Sequence, residues 1–253
     1  MVEMKAAFYI ESLKLARSLV GIVATFVIVF GVICLLGGIT AGIVTGNPDL
    51  IRKAGTAATL DWSGLLSAAT QISTVSMLLG FGIVLAWIFG REFSDHTVTA
   101  LFALPISLTR IALAKFAVYL TWAFTVSNAV LLVVFVLGLL IGYGVPDADA
   151  WAAFGRLWVL LMFSIVLVTP VAWIVTLTRS LLAGVASTIV LIVLAQIGIL
   201  AGIGGWVPPA VPALWALSAG TAVSLLQLAF TAGFAAGFAF LVCWSWRHLE
   251  LDR

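Results

Sequence analysis

The chain has 253 residues, 64% of them hydrophobic and 9% charged, with a formal net charge of +2. A soluble domain is roughly half apolar and about a quarter charged, so this balance excludes an ordinary water-soluble protein and belongs to a polytopic membrane protein. The twelve Lys and Arg are spread thinly over segment ends, which gives no sign of a nucleic-acid partner.

Residues 3–17 read as a short interfacial helix, with Glu11, Lys14 and Ser18 on one face and Phe8, Leu15 and Leu19 on another. Charge-free runs then cover 18–48, 62–90, 116–146, 157–178 and 180–246. A helix needs about 20 apolar residues to cross the hydrocarbon core, so the first four runs hold one span each. The last run is cut by Gly204-Gly205-Trp206-Val207-Pro208-Pro209-Ala210-Val211-Pro212, because proline removes backbone donors and breaks helices.

The expected architecture is therefore all-α, a single transmembrane domain over 1–253 with six transmembrane helices. The spans are drawn at about 18–43, 63–90, 110–142, 152–177, 181–204 and 221–245. Pro170 is expected to kink the fourth span. The tight turn Thr178-Arg179-Ser180 makes the fourth and fifth spans an antiparallel hairpin. The apolar segment 205–220, with Trp206 and Trp215 flanking its proline cluster, reads as an outer re-entrant loop or short helix at headgroup depth.

With the N-terminus inside, nine Lys or Arg fall on cytoplasmic segments and three (Arg52, Lys53, Arg156) fall outside. That bias places both termini in the cytoplasm. The mixed-charge segment before the first span, with no small-residue cleavage site after it, argues against a signal peptide. Cys34 and Cys243 lie within spans and read as small apolar residues.

No span interior carries a clear Asp, Glu, Lys or Arg, so an ion gradient has no obvious handle. None of the four lysines follows a glycine, so there is no P-loop either. His96 and His248 stand at the cytoplasmic edge with no His-Glu-x-x-His pair, which leaves nothing for zinc chemistry and ranks an intramembrane enzyme last.

The most informative stretch is 91–115, wedged between the second and third spans. Ser94 or Asp95 is an N-cap for a short helix. Val98, Leu101, Phe102 and Leu104 recur at the spacing of one apolar face, and Pro105 ends it. Ser107 then caps the next helix. Asn128, Gln71, Gln196 and Gln227 are polar groups inside spans, read as interhelical hydrogen-bond partners or substrate contacts.

Arg-Glu-Phe-Ser-Asp-His-Thr, then Leu-Phe-Ala-Leu-Pro-Ile-Ser, then Leu-Ala-Lys-Phe resembles the signature stretch of type-2 ABC exporter permeases. The likeness is above all to the small six-span permeases of bacitracin and lantibiotic self-protection systems. Glu92, Ser94, Thr97, Leu101, Leu104, Pro105, Ser107 and Lys115 match the family's positions. Leu108 stands where many members have a basic residue, with Arg110 two residues on.

The resemblance implies that 91–109 is a cytoplasmic coupling segment. In it, Glu92, Ser94, Asp95, Thr97, Val98, Leu101, Phe102, Leu104 and Pro105 dock an ABC ATP-binding subunit. It implies a second permease copy, identical or related, and a plasma-membrane location among membrane lipid. The second and fifth spans would line a path marked by Gln71, Ser76 and Gln196, with Asn128 a further candidate. The expected function is export of a hydrophobic or amphipathic substrate such as a peptide antibiotic, drug or lipid. The chain itself needs no cofactor, ATP and Mg²⁺ being held by the partner. The alternative from the residues alone is a scaffold or assembly factor that docks another cytoplasmic protein through 91–115.

Overall fold

The computed structural model describes residues 2–102 and 106–249. Among them there is no strand. Helix α1 (Val2–Ala16) precedes α2 (Leu19–Val44), and a short α3 (Pro48–Ala54) leads to the long α4 (Trp62–Ser94). Helix α5 (Val98–Phe102) separates α4 from α6 (Leu108–Ile141). Then come α7 (Ala148–Leu167), α8 (Thr169–Thr178), α9 (Leu181–Leu200), a short α10 (Val211–Leu217) and α11 (Leu225–Arg247). With α7 and α8 counted as one interrupted span, six helices are long and apolar enough to cross a membrane. The protein is an all-α polytopic membrane protein.

Polar residues precede the six spans, and glycines end three of them. Ser18, Asp61, Asp147 and Ser180 each accept a hydrogen bond from the backbone N–H three residues on, satisfying a donor that has no partner inside the helix. Ser224 and Gln227 cap α11 reciprocally. Ser107 is extended in front of α6, but its side chain makes no cap bond, contrary to the sequence expectation. Helices α2, α6 and α9 close on left-handed Gly46, Gly142 and Gly202. At each, the following N–H reaches back to the carbonyl five residues earlier.

Helix α4 is the axis of the bundle. It packs against α2, α6, α7, α8, α9 and α10, while α11 lies against α8, α6 and α7. Small residues permit its closest approach: a Cβ on Gly82 would strike the Thr188 side chain, and one on Gly184 would strike Val175 and Ala86. The outer surfaces of α2 and α9 are apolar and uncovered, with Phe26, Val27, Val190 and Leu194 exposed.

The fourth span is broken at Val168, where Pro170 at the start of α8 has no N–H to give. The Tyr119 hydroxyl, fully buried on α6, donates to the Ile165 carbonyl at 2.8 Å and so satisfies an acceptor beside the break. Thr169 Oγ1 donates across to Ala235 on α11.

Both described ends of the chain lie on one face. There Lys14 of α1 reaches Glu92 of α4, and Trp246 of α11 donates to Thr176 Oγ1 of α8 at 3.0 Å.

Candidate functional site

On that face α4 runs one turn beyond Gly90 and ends at Ser94, not before it. Asp95 is its C-cap, and His96 takes the left-handed conformation with φ 54°. The His96 and Thr97 amides turn back to the Phe93 and Glu92 carbonyls. Neither Ser94 nor Asp95 caps the next helix. Two local interactions hold the extra turn: Arg91 Nε bonds Asp95 one turn on at 3.1 Å, and its guanidinium stacks over Trp87.

The described part of the link from α4 toward α6 begins at the surface. Ser94, Asp95, His96 and Thr97 are at the surface, Val98 packs partly into the core, and Phe102 is 39% exposed. Leu101 lies in α5. Leu104 and Pro105 fall outside the described residues.

Glu92 behaves differently from its neighbours. It is 2% exposed and faces inward. Its Oε1 accepts from Lys115 Nζ at 2.7 Å and from Lys14 Nζ at 3.0 Å. Lys115 has no exposed surface and uses all three of its protons, on Glu92, on Glu11 Oε2 at 2.9 Å and on the Ile88 carbonyl at 3.0 Å. Lys14 also bonds Glu11 at 2.6 Å. The indole of Trp246 lies 5.8 Å from the Lys115 ammonium. Glu92 Oε2 has no donor among the described residues.

Two carboxylates and two ammonium groups thus tie α1, the end of α4 and the start of α6 into one joint. Burial on its own would lower the Lys14 pKa. The adjoining Glu92 and Glu11 carboxylates outweigh it and hold the group above its ordinary value. From sequence, Glu92 belongs to a contact surface, and its place at the centre of this joint is missed. The Glu11/Lys14 spacing on α1 is the available signal, but it does not reveal that this face turns inward onto α4 and α6.

The polar span residues divide into two groups. Gln71 on α4 and Gln196 on α9 are both exposed at membrane depth. The antiparallel register set by Gly82 against Thr188 brings Gln196 to within about a turn of Gln71. Among the described residues Gln71 donates to Ser67 alone, at 3.4 Å. Ser76 is half-buried and bonds the Ile72 carbonyl. Asn128, on α6, bonds the Phe124 carbonyl and stands apart from that pair.

On the opposite face a cavity of about 740 Å³ opens between α4, α7 and α10, bordered by Asp61, Tyr143, Asp147, Asp149 and Arg156. The Gly64 amide and Thr59 hydroxyl hold the Asp61 carboxyl below its ordinary value. Burial and the Asp61 charge push Tyr143 up. The described residues hold no group of His, Cys, Asp and Glu fit for a metal.

The sequence model for the ABC-2 family transporter protein matches residues 7–195, a stretch that includes α2 through most of α9. No curated protein matches the chain significantly. With most of its length matched and six membrane-spanning helices arranged around α4, the chain belongs to the ABC-2 transporter family and is a type-2 ABC transporter permease.

Proposed function

We propose that this permease is the membrane subunit of an ATP-driven exporter, and that the segment from Ser94 through α5 to Pro105 docks a separate ATP-binding subunit. The observation that carries the reading is a contrast at one end of the bundle. A short helix with Thr99 and Phe102 exposed stands between two long ones whose ends are locked by the Glu92–Lys115 joint. A force on α5 is then delivered to α4 and α6 together instead of being lost in slippage between them. Ser94, Asp95, Thr97 and Phe102 supply contact surface, Val98 roots the helix, and Leu101, Leu104 and Pro105 extend the motif. Glu92 positions the lever from beneath and is not itself a contact. ATP and Mg²⁺ belong to the partner.

Nine of the twelve Lys and Arg support a cytoplasmic location for the α5 face and both termini, in the plasma membrane. The exposed amides of Gln71 and Gln196 support a second permease copy, identical or related, against α4 and α9. Uncovered amides are costly in hydrocarbon, and Gln, Ser and Thr bond well across membrane helices. With Ser76 they would mark the path of a hydrophobic or amphipathic cargo leaving the cytoplasm or the inner leaflet. A peptide antibiotic, drug or lipid has that character. Asn128 lies off this path.

Mild-detergent purification of the wild type from its native membrane, beside Phe102→Arg, tests the docking. A stoichiometric P-loop ATPase should accompany the wild type and fall about tenfold or more with the variant, at an unchanged unfolding temperature. Equal recovery would remove α5 from the contact. Its absence even after crosslinking would favour a scaffold that docks some other protein. For orientation, cysteines at Asp49 and Asp147 in a Cys34/Cys243-free background should react with an impermeant thiol reagent on intact cells. Labelling only after lysis would invert the topology.

A further inference from the structure

A second feature of the chain-end face lies on the other side of Lys14 from the buried joint. A cleft of about 680 Å³ is formed where α1 turns into α2, where α4 ends and where α9 begins. Lys14, Arg17 and Arg91 all border it, against the single carboxylate of Asp95. Arg91 is engaged by Asp95, and Lys14 is shared between Glu11 and Glu92. Arg17 is exposed, and no carboxylate stands within ion-pair distance of it among the described residues. The cleft therefore has a net positive rim and one arginine whose donors are uncommitted.

Its other walls are apolar. Leu19 and Val20 begin α2, Trp87 lies one turn deeper than Arg91 on α4, and Leu181 opens α9. All these residues stand at span ends, with Leu19 78% exposed. The cations thus stand at the ends of the spans, with apolar side chains beside them on the span side.

We propose that this cleft binds an anionic phospholipid from the leaflet on the chain-end face. The phosphate accepts from Arg17 and Arg91, and an acyl chain runs along Leu19, Val20 and Leu181. A guanidinium matches a phosphate's oxygens in pairs. Basic pockets between helices at a membrane surface suit anionic headgroups. Free inorganic phosphate would leave the apolar wall unused, and so would an acidic segment of a protein. The lipid satisfies both halves of the cleft. Because Lys14 borders this cleft and also closes on Glu92, the bound headgroup would sit directly beside the joint under α5.

The test uses the full chain purified in dodecylmaltoside, with unfolding followed by tryptophan fluorescence and bound lipid counted by native mass spectrometry. Palmitoyl-oleoyl phosphatidylglycerol should raise the unfolding temperature and remain bound, whereas the phosphatidylcholine of the same chains and inorganic phosphate alone should do neither. Arg17→Glu should weaken the phosphatidylglycerol effect about tenfold or more, the loss expected for a hydrogen bond to a charged group. Arg17→Lys should retain part of it. If Arg17→Glu does not fold, Arg17→Gln serves the same purpose. Equal shifts with the two lipids, full retention by the Arg17 variant, or an equal shift with phosphate alone would each overturn the proposal.

Discussion

Lys115 Nζ lies 2.7 Å from Glu92 Oε1, which joins two helices at the residues that flank the 23-position excursion through α5. Neither side chain has appreciable contact with water, their exposures being 0% and 3%. A buried pair of this kind adds little net stability over an apolar pair, but removing one partner strands a charge. Lys115→Met should therefore destabilise the protein by about 3–5 kcal/mol. Adding Glu92→Gln should recover part of that loss, and denaturant unfolding of the four-member cycle in micelles measures the coupling. Additive losses would mean that the two side chains do not act as a unit.

Tyr119→Phe removes the buried hydroxyl that serves the Ile165 carbonyl beside the break at Val168. Leaving a buried acceptor unpaired costs about 1–3 kcal/mol. The same substitution in a helix without a break would leave the ladder intact, so a loss below about 0.5 kcal/mol would show that Ile165 finds another donor.

The α4–α9 contact depends on the absence of side chains at Gly82 and Gly184. Gly184→Val should lower stability by about 1–3 kcal/mol through overpacking against Val175 and Ala86. Gly31, which has open space where a Cβ would stand, is the internal control and should accept alanine without loss. Similar effects at both positions would deny the close approach.

Asp61 caps α4, and its carboxyl is held below its ordinary value by the Gly64 and Thr59 bonds. A depressed folded pKa gives stability that is complete above the unfolded value near 4 and is lost as pH falls through the lowered folded value. Asp61→Ala should cost about 1 kcal/mol at neutral pH, while Asp61→Asn, which keeps an acceptor, should cost less. The gap between wild type and Asp61→Asn should close on acidification, as read from unfolding temperatures between pH 7 and pH 3. A gap that widens instead would reverse the sign of the shift.

His96 occupies a left-handed position with φ 54°, where α2, α6 and α9 use glycine. A side chain there carries a penalty of roughly 1 kcal/mol, so His96→Gly should stabilise the end of α4 by up to about that amount. An unchanged or lower unfolding temperature would mean that the imidazole makes a compensating contact.

The six spans were legible because hydrocarbon thickness and charge exclusion act on contiguous sequence, and Asp61, Asp147 and Ser180 stand where a cap is needed. The end of α4 was misread for a local reason. Ser94 and Asp95 are as fit to start a helix as to finish one, and the left-handed turn that decides between them is made by a histidine where glycine would have announced it. The Glu92 joint was hidden for a different reason. It combines residues 11, 14, 92 and 115, and only tertiary packing brings α1's carboxylate face against α4 and α6. Helix α5 needs no such long-range information, because the apolar spacing of Val98, Leu101 and Phe102 marks it in the sequence.

The joint also has an electrical consequence. Its two carboxylates and two ammonium groups sum to no net charge. Moving one elementary charge through a transmembrane potential involves about 2.3 kcal/mol per 100 mV. A displacement that carries Glu11, Lys14, Glu92 and Lys115 together transports no charge through that field. On the proposed docking, these four side chains would therefore add no voltage-dependent work to a tilt of the helix ends.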